Sequence, residues 1–502
     1  MQRNVLEYLD KTAITHSDKM AFGDEWEEMT FGELKRDADA IASRLLKTEA
    51  IRLPVAVYLP NSCDCIRAFM GVVSSGNFYC PIDTAMPLER AAAILNVLKP
   101  VAIITSARYE EKLKGLDYHI DIIRIEEAKH THIQAERLQN IRESMLDLDP
   151  LYVLFTSGST GVPKGVLISH RAVIDYIDWA TEAFGIHDKV VFGNQSPFYF
   201  DNSILDVYGP MKKGSSVYII PRKKFLFPAD LIAYLNEKKI NAICWVPSML
   251  CTVVNLKGLD AQKPLYLNKV IFCGEVMPNK QLNVWRRALP EAMYVNMYGP
   301  TEIVQACTYY IIDRDFADDE PLPIGIPFKN TRIIVLNESD EEVQKDEPGE
   351  LCISGTCLAL GYYNNPEKTR EVFVQNPINN AYEEKIYRTG DIVKRNERGE
   401  FVYLSRKDFQ IKHMGHRIEL GEIETAFSGK EGVENCACFY DKKQSVIVMC
   451  YTGKEIDLKE LTSFLKGKIP KYMIPGRFVY CREFPYNANG KIDRIMLKKS
   501  YF

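Results

Sequence analysis

At 502 residues the chain is too long for one ordinary hydrophobic core, so two or more domains are expected. Hydrophobic residues make up 46% and charged residues 26%, the balance of a globular protein rather than a disordered or fibrous one. Lys and Arg number 63 against 67 Asp and Glu, and a net charge of −4 gives no reason to expect a nucleic-acid partner. That charge is uneven: residues 405–502 hold 18 Lys/Arg and 12 Asp/Glu, a basic tail region on an acidic body, which hints at an acidic partner.

In chain order, residues 1–20 carry Glu7, Asp10 and Asp18 and no apolar core of a leader; they read as an amphipathic helix. No run of 18 or more apolar residues occurs, so no membrane insertion is expected. The thirteen cysteines lie mostly inside apolar segments such as Ile243-Cys244-Trp245, which suits reduced thiols in a cytoplasmic protein. The pairs Cys63/Cys65 and Cys436/Cys438 lack a second pair at zinc spacing, and His130-Thr131-His132 reads as a solvated loop.

Up to Pro150, helices (through Phe31–Leu46 and Phe69–Val73) alternate with apolar strands (Pro54–Leu59, Val101–Thr105). The alternation resumes after residue 165 with strands at Val190–Phe192, Ser216–Pro221, Ile243–Val246, Lys269–Cys273 and Ala292–Asn296. Helices are expected at Ser203–Met211, Ala229–Glu237 and Lys280–Ala288. Strands spaced by helices argue for layered α/β subdomains with largely parallel sheets. From about Pro321 to Leu404 short β-like runs suggest a small β-rich subdomain. The rest reads as a compact α+β domain with helices Glu419–Ser428 and Leu458–Leu465. The boundaries expected are therefore 1–404 for an N-terminal core and 405–502 for a C-terminal domain.

Between these blocks, the buried-looking run Leu151–Phe155 leads straight into Thr156-Ser157-Gly158-Ser159-Thr160-Gly161 and then Pro163-Lys164-Gly165. Glycines allow close backbone approach, and amide N–H groups, hydroxyls and the Lys164 ammonium together suit a polyphosphate. The spacing is not that of the common P-loop, and a plain Ser/Gly surface loop is the bland alternative. Three more polar clusters follow: Asn296-Met297-Tyr298-Gly299-Pro300-Thr301-Glu302, Tyr387-Arg388-Thr389-Gly390-Asp391, and Asn489-Gly490-Lys491-Ile492-Asp493. A tyrosine in a Gly-Pro turn offers a face to a purine, and Glu302 offers an oxygen to Mg²⁺. Asp391 offers a carboxylate to ribose hydroxyls, and Lys491 a mobile charge for an anionic transition state.

These four clusters, in this order and across essentially the whole chain, resemble the adenylate-forming superfamily of acyl-CoA ligases, luciferases and peptide-synthetase adenylation domains. Phe272–Pro278, Phe198-Tyr199-Phe200-Asp201 and Arg406–Lys412 bring the chain closest to free-standing amino-acid-activating enzymes such as the D-alanine–carrier protein ligases. The resemblance implies that Thr156, Ser157, Gly158, Ser159, Thr160, Gly161 and Lys164 hold the ATP phosphates. It sets Tyr298 on adenine, with Gly274, Asn296, Met297, Gly299 and Thr301 around the nucleotide. It implies that Asp391, Tyr403 and Arg406 serve the ribose, that Glu302 ligates Mg²⁺, and that Lys491 is the catalytic cation at the substrate carboxylate and α-phosphate. Asp408 matches the hinge of a mobile C-terminal domain; Ser405 stands where the family usually has glycine.

The resemblance also implies an amino-acid pocket. Asp201 would bind the substrate's α-ammonium, the alternative being a helix N-cap. Asn202, Leu205, Cys244, Ile271, Cys273, Met297, Gln305 and Ala306 would line the side-chain pocket. Cys273 matches the ligases that favour D-alanine. Asn202, Met297 and Gln305 are larger or more polar than is usual there, and a buried Gln305 is costly unless it meets a partner. D-alanine leads, with serine, glycine or another small polar amino acid open. No carrier or condensation motif occurs, so the acceptor implied is the phosphopantetheine thiol of a separate carrier protein. An acyl- or aryl-CoA ligase is the second reading, with Asp201 against it; a non-catalytic amino-acid or nucleotide-binding module is the third, opposed by Lys491, Glu302 and Asp391.

Overall fold

The computed structural model describes residues 2–113, 120–158, 162–407, 410–442, 444–485, 492 and 494–501, with only the backbone of Ile495. Ser159, Thr160, Gly161, Asp408 and Lys491 lie outside the described residues. The chain divides into two compact units: residues 1–84, 98–154 and 165–407 form one, and residues 85–97, 155–164 and 408–502 the other.

The larger unit is a mixed α/β fold built on two sheets and a β-rich segment. Its nine-stranded sheet runs in the order Ile326–Pro327, Thr308–Ile311, Met293–Tyr298, Lys269–Cys273, Ala242–Trp245, Val191–Asn194, Ser216–Ile219, Met20–Gly23 and Glu28–Thr30. The strands from Met293–Tyr298 through Met20–Gly23 pair in parallel, and antiparallel strands close both edges. Parallel strands buried on both faces read as continuous apolar runs, which is why VIFC and AICW were legible as strands. Their two faces feed different cores. Cys244, Ile271, Cys273, Val295 and Met297 join one cluster, while Ile243, Trp245, Val270, Phe272 and Tyr294 join another. Both clusters are closed to solvent, so residues at the carboxyl ends of these strands are fixed from both sides.

A seven-stranded sheet is ordered Gly361–Tyr362, Lys164–Ser169, Pro150–Thr156, Phe78–Pro81, Pro54–Val57, Ala102–Thr105, Asp121–Arg124. Its helices start on local signals: Thr30 and Glu33 form a reciprocal capping box before Phe31–Leu45, and the Ser62 hydroxyl accepts the Cys65 N–H ahead of Cys63–Ser74. Residues 331–406 supply the β-rich sheet, with strands Thr331–Leu336, Gly349–Gly355, Lys385–Arg395, Phe373–Gln375 and Phe401–Arg406.

The smaller unit is α+β. Its strands Val433–Asp441, Val446–Gly453 and Arg477–Tyr480 pack helices Leu420–Ser428 and Leu458–Lys466 around Ile423, Phe427, Met449, Leu461 and Leu465.

All thirteen cysteines are free thiols, and eleven are buried. Among the described residues the one group with metal-like spacing is Asp24, Glu27 and Cys63. Asp24 there is already a local cap, its carboxylate accepting the N–H groups of Trp26, Glu27 and Cys63. His130 and His132 lie exposed in the turn after helix Ile125–Ala128. No helix among the described residues is long and apolar enough to cross a membrane.

Candidate active site

Ligands in open α/β sheets bind beyond the carboxyl ends of parallel strands. In the nine-stranded sheet those ends are occupied by Asn194, Cys244-Trp245, Cys273 and Met297-Tyr298. Asp201 follows the first of them, in the short 3-10 turn Asp201–Ser203 that leads into helix Ile204–Lys213. The N-cap positions of that turn and of the helix are Phe200 and Ser203, and neither makes a side-chain cap hydrogen bond. Asp201 Oδ2 accepts the Thr301 hydroxyl at 2.5 Å. This brings together two residues 100 positions apart that were expected on the amino-acid and nucleotide sides of the site.

Around Asp201 the expected pocket residues Asn202, Leu205, Cys244, Ile271, Cys273, Met297, Gln305 and Ala306 are all buried. Gln305, 1% exposed, is not left unpaired: Leu205 N–H donates to its Oε1 at 3.2 Å, and its Nε2 donates to Asn202 Oδ1 at 3.1 Å and Cys244 Sγ at 3.4 Å. Asn202 Nδ2 donates to Ser196 Oγ at 2.7 Å and to the Cys244 carbonyl at 3.3 Å. The Cys273 thiol reaches the Gln305 carbonyl at 3.8 Å, and the Tyr176 hydroxyl reaches the Met297 sulfur at 3.8 Å.

The backbone that delivers Gln305 is itself unusual. Val304 has φ 74° and ψ −73°, and Gln305 N–H donates back to the Ile303 carbonyl at 3.0 Å, which makes a γ-turn at a β-branched residue. Such turns are strained by about 1–3 kcal/mol and persist only where surrounding structure holds them. Gly299 shares that requirement, because a Cβ there would sit 2.5 Å from Ala306 Cα.

On the nucleotide side, the Tyr298 hydroxyl donates to Asp391, whose other carboxylate oxygen pairs with Arg406 Nη1 at 2.6 Å. Burial, with the Asp391 charge adding to it, pushes the Tyr298 phenol far up, so it stays a donor. Asn296 Nδ2 donates to the Pro323 carbonyl at 2.8 Å, Gly274 takes φ 101°, and Tyr403 is half-buried on the strand beside Val393. Glu302 is fully buried and accepts the Tyr362 hydroxyl at 2.6 Å, which presents a hard oxygen donor suited to Mg²⁺.

The loop after strand Pro150–Thr156 belongs to the smaller unit, where anions already engage its donors. Gly158 N–H donates to Glu422 Oε2 at 3.2 Å, and Lys164 Nζ pairs with Glu419 at 3.3 Å. Glu419 N–H donates to Ser157 Oγ at 3.1 Å, and the Ser157 hydroxyl donates to the Arg417 carbonyl at 2.8 Å. Glu422 also pairs with Arg90. Burial pushes the Glu422 carboxyl up to about 7 against the pull of Arg90. Gly158 has to be glycine: a Cβ would lie 1.9 Å from the Val162 carbonyl oxygen. The donor set is thus one that holds carboxylates in place, the chemistry a phosphate group also requires.

Several participants were not singled out in the sequence. Asn194, Ser196 and Asp206 extend the amide network: Asn194 Nδ2 donates to Asp206 Oδ2 at 2.9 Å and to the Ser196 carbonyl at 3.1 Å. Burial pushes the Asp206 carboxyl up to about 8, leaving it neutral at pH 7. The signal was an acid one turn after Asp201 in the otherwise apolar helix start Ile204-Leu205-Asp206-Val207. Arg90, Glu419 and Glu422 carried no local signal.

Residues 2–363 match the family described as AMP-binding enzyme, and residues 422–491 match its AMP-binding enzyme C-terminal domain. A D-alanine--D-alanyl carrier protein ligase of Lacticaseibacillus paracasei is 32% identical over 511 residues, covering 98% of each chain. That of Bacillus licheniformis is 31% identical over 508 residues, covering 99% of each. Among solved structures, the Vibrio cholerae adenylation domain AlmE with glycyl-adenosine-5'-phosphate superposes with a TM-score of 0.85 at 21% identity, over 100% of this chain and 98% of that one. The peptide-synthetase protein PA1221, with adenylation and PCP domains, gives 0.85 at 23%, over 99% and 84%. At those identities the likeness concerns the fold.

Proposed function

The chain belongs to the AMP-binding, adenylate-forming enzymes, and we propose that within this family it activates a small amino acid and passes it to a carrier protein's phosphopantetheine thiol. The observation that carries the amino-acid assignment is Asp201. It is a carboxylate at the sheet's carboxyl edge, held by the Thr301 hydroxyl and lying outside the N-cap positions Phe200 and Ser203. A carboxylate so placed is stabilised by a cation, and an α-ammonium supplies one. D-alanine is the amino acid named for the full-length relatives at 31–32% identity.

In the proposed reaction the amino acid's carboxylate attacks the α-phosphorus of ATP and pyrophosphate leaves, giving an aminoacyl-adenylate. Both reactants are anions, so the site has to neutralise charge as it develops. Lys491 is assigned that role, and Thr156–Lys164 is assigned the leaving phosphates. Tyr298 and Asp391, with Arg406 behind the carboxylate, are assigned the nucleoside. Mg²⁺ held by Glu302 would supply further charge neutralisation at the phosphates. The carrier thiol then attacks the mixed anhydride and AMP leaves. The two half-reactions call for different groups, and residues 405–502, turning about Asp408, are assigned the change of partner over the core of residues 1–404. The lysine-rich tail region is the proposed docking face for an acidic carrier protein.

ATP–pyrophosphate exchange across D- and L-amino acids, fatty acids and aryl acids tests this reading. Exchange driven by a small amino acid is expected. Exchange driven only by carboxylic acids without an α-amino group would assign the chain to the CoA-ligase reading instead.

A further inference from the structure

We infer, resting on the amino-acid reading above, that the side-chain pocket of this enzyme is filled by its own amides and accepts glycine ahead of alanine, excluding serine and all larger amino acids.

The argument starts from hydrogen-bond capacity. A primary amide has two donor hydrogens and one acceptor oxygen. The Leu205 backbone N–H donates to Gln305 Oε1, which fixes the orientation of that amide without reference to a rotamer choice. Its Nε2 then faces Asn202 Oδ1 and Cys244 Sγ, so both of its hydrogens are engaged. With Asn202 Oδ1 fixed as the acceptor, Asn202 Nδ2 is turned onto Ser196 Oγ and the Cys244 carbonyl, and both of its hydrogens are engaged as well. Cys244 Sγ–H closes the circuit on Asn202 Oδ1 at 3.6 Å. No amide hydrogen of the pair is left for a substrate.

Two consequences follow. A serine hydroxyl entering this pocket finds no amide hydrogen to accept and only the second lone pair of Gln305 Oε1 to donate to, so its own oxygen stays unpaired unless a buried bond breaks, which disfavours it by about tenfold. The side chains themselves occupy volume: Gln305 and Asn202 are 1% and 6% exposed, and the bonds to Leu205, Asn202 and Cys244 hold the Gln305 amide in place. Each methylene forced against a filled wall costs about tenfold or more in specificity. The polar residues of the pocket are therefore spacers, and the substrate they leave room for is the one with no side chain.

The test is kcat/KM for pyrophosphate exchange with glycine, D- and L-alanine, D- and L-serine and valine, using the full chain and its Gln305→Ala and Asn202→Ala variants. The wild type is expected to rank glycine first, alanine at least tenfold lower, and serine lower still. Gln305→Ala removes the spacer, so its alanine-to-glycine ratio is expected to rise by about tenfold, a gain that misfolding cannot imitate. Serine, valine or alanine ahead of glycine in the wild type overturns the inference, whatever the variants do. An unchanged ratio in a Gln305→Ala enzyme that still exchanges with glycine also overturns it. Absence of exchange with every amino acid, beside exchange with a fatty or aryl acid, overturns the amino-acid reading and the inference with it.

Discussion

The turn that carries Asp201 and Asn202 and the loop at residues 155–164 handle polar groups in opposite ways. Around Asn202 and Gln305, every donor is a neutral amide, hydroxyl or thiol that meets a neutral partner, and Asp206 joins as a protonated acid. Around the loop, Gly158 and Lys164 meet the carboxylates of Glu422 and Glu419, and Arg90 completes a charged set. The Asn202 and Gln305 amides have every hydrogen engaged by a neutral partner, so they fix dimensions, while Asn194 Oδ1 and Asp206 Oδ1 at the edge of the network take no hydrogen bond among the described residues. A set of cations and N–H groups holding carboxylates has members that another anion can replace. The first arrangement suits selection of a substrate; the second suits a leaving group that has to enter and depart.

The comparison is broken most severely at the charged end. Lys491→Ala is expected to lower the adenylation rate by about 10²–10³-fold. ATP binding, measured by isothermal titration, should change by no more than a few fold, since the phosphate loop and Asp391 are untouched. A matched loss of binding would make Lys491 an anchor rather than a catalyst. Next in size is Asp201→Asn, which removes the proposed partner of the α-ammonium. A charge-assisted pair is worth about 2–5 kcal/mol when one side is truncated, so kcat/KM for the amino acid should fall by about 100-fold while KM for ATP holds.

A smaller effect sharpens the view of the loop as exchangeable. Glu422→Gln weakens the pairing with Arg90 and the hold on Gly158, so KM for ATP should fall by about threefold. A rise in KM would mean that Glu422 shapes the loop for the nucleotide.

A last effect concerns stability, not turnover. Asp206 holds a proton in the folded chain up to about pH 8, whereas in the unfolded chain it ionises near 3.8. Between those values the folded state binds more protons, so stability falls as pH rises, by about 1.4 kcal/mol per pH unit for one such group. Asp206→Asn should flatten that part of the pH–stability profile in urea melts. An unaltered slope would place the titration on another group.

Much of the frame was legible in the sequence because it rests on local patterns. Lys269–Cys273 and Thr331–Leu336 begin and end where apolar runs and turn residues set them, and the helix expected at Lys280–Ala288 is Asn279–Ala288. Strand Lys164–Ser169 and helix His170–Ala183 were not expected, because the strand starts inside the Pro-Lys-Gly segment that reads as the end of a loop. The site was legible as a set of residue types and much less as a set of partners. Gln305 was expected to be costly without a partner; that partner is Asn202, 103 positions away, and no local pattern encodes that. Arg90 and Glu422 are 332 positions apart, and each looks like an ordinary surface charge in its own helix. Spacing reports periodicity; pairing across hundreds of residues needs the fold.

The most direct test of the account is to identify the intermediate itself. The enzyme, ATP and Mg²⁺ are incubated with an equimolar mixture of amino, fatty and aryl acids, and the acyl-adenylate is identified by mass spectrometry. Glycyl-AMP is expected as the main product, with alanyl-AMP second. An adenylate whose acyl group lacks an α-amino group, or none at all from this mixture, would contradict the account.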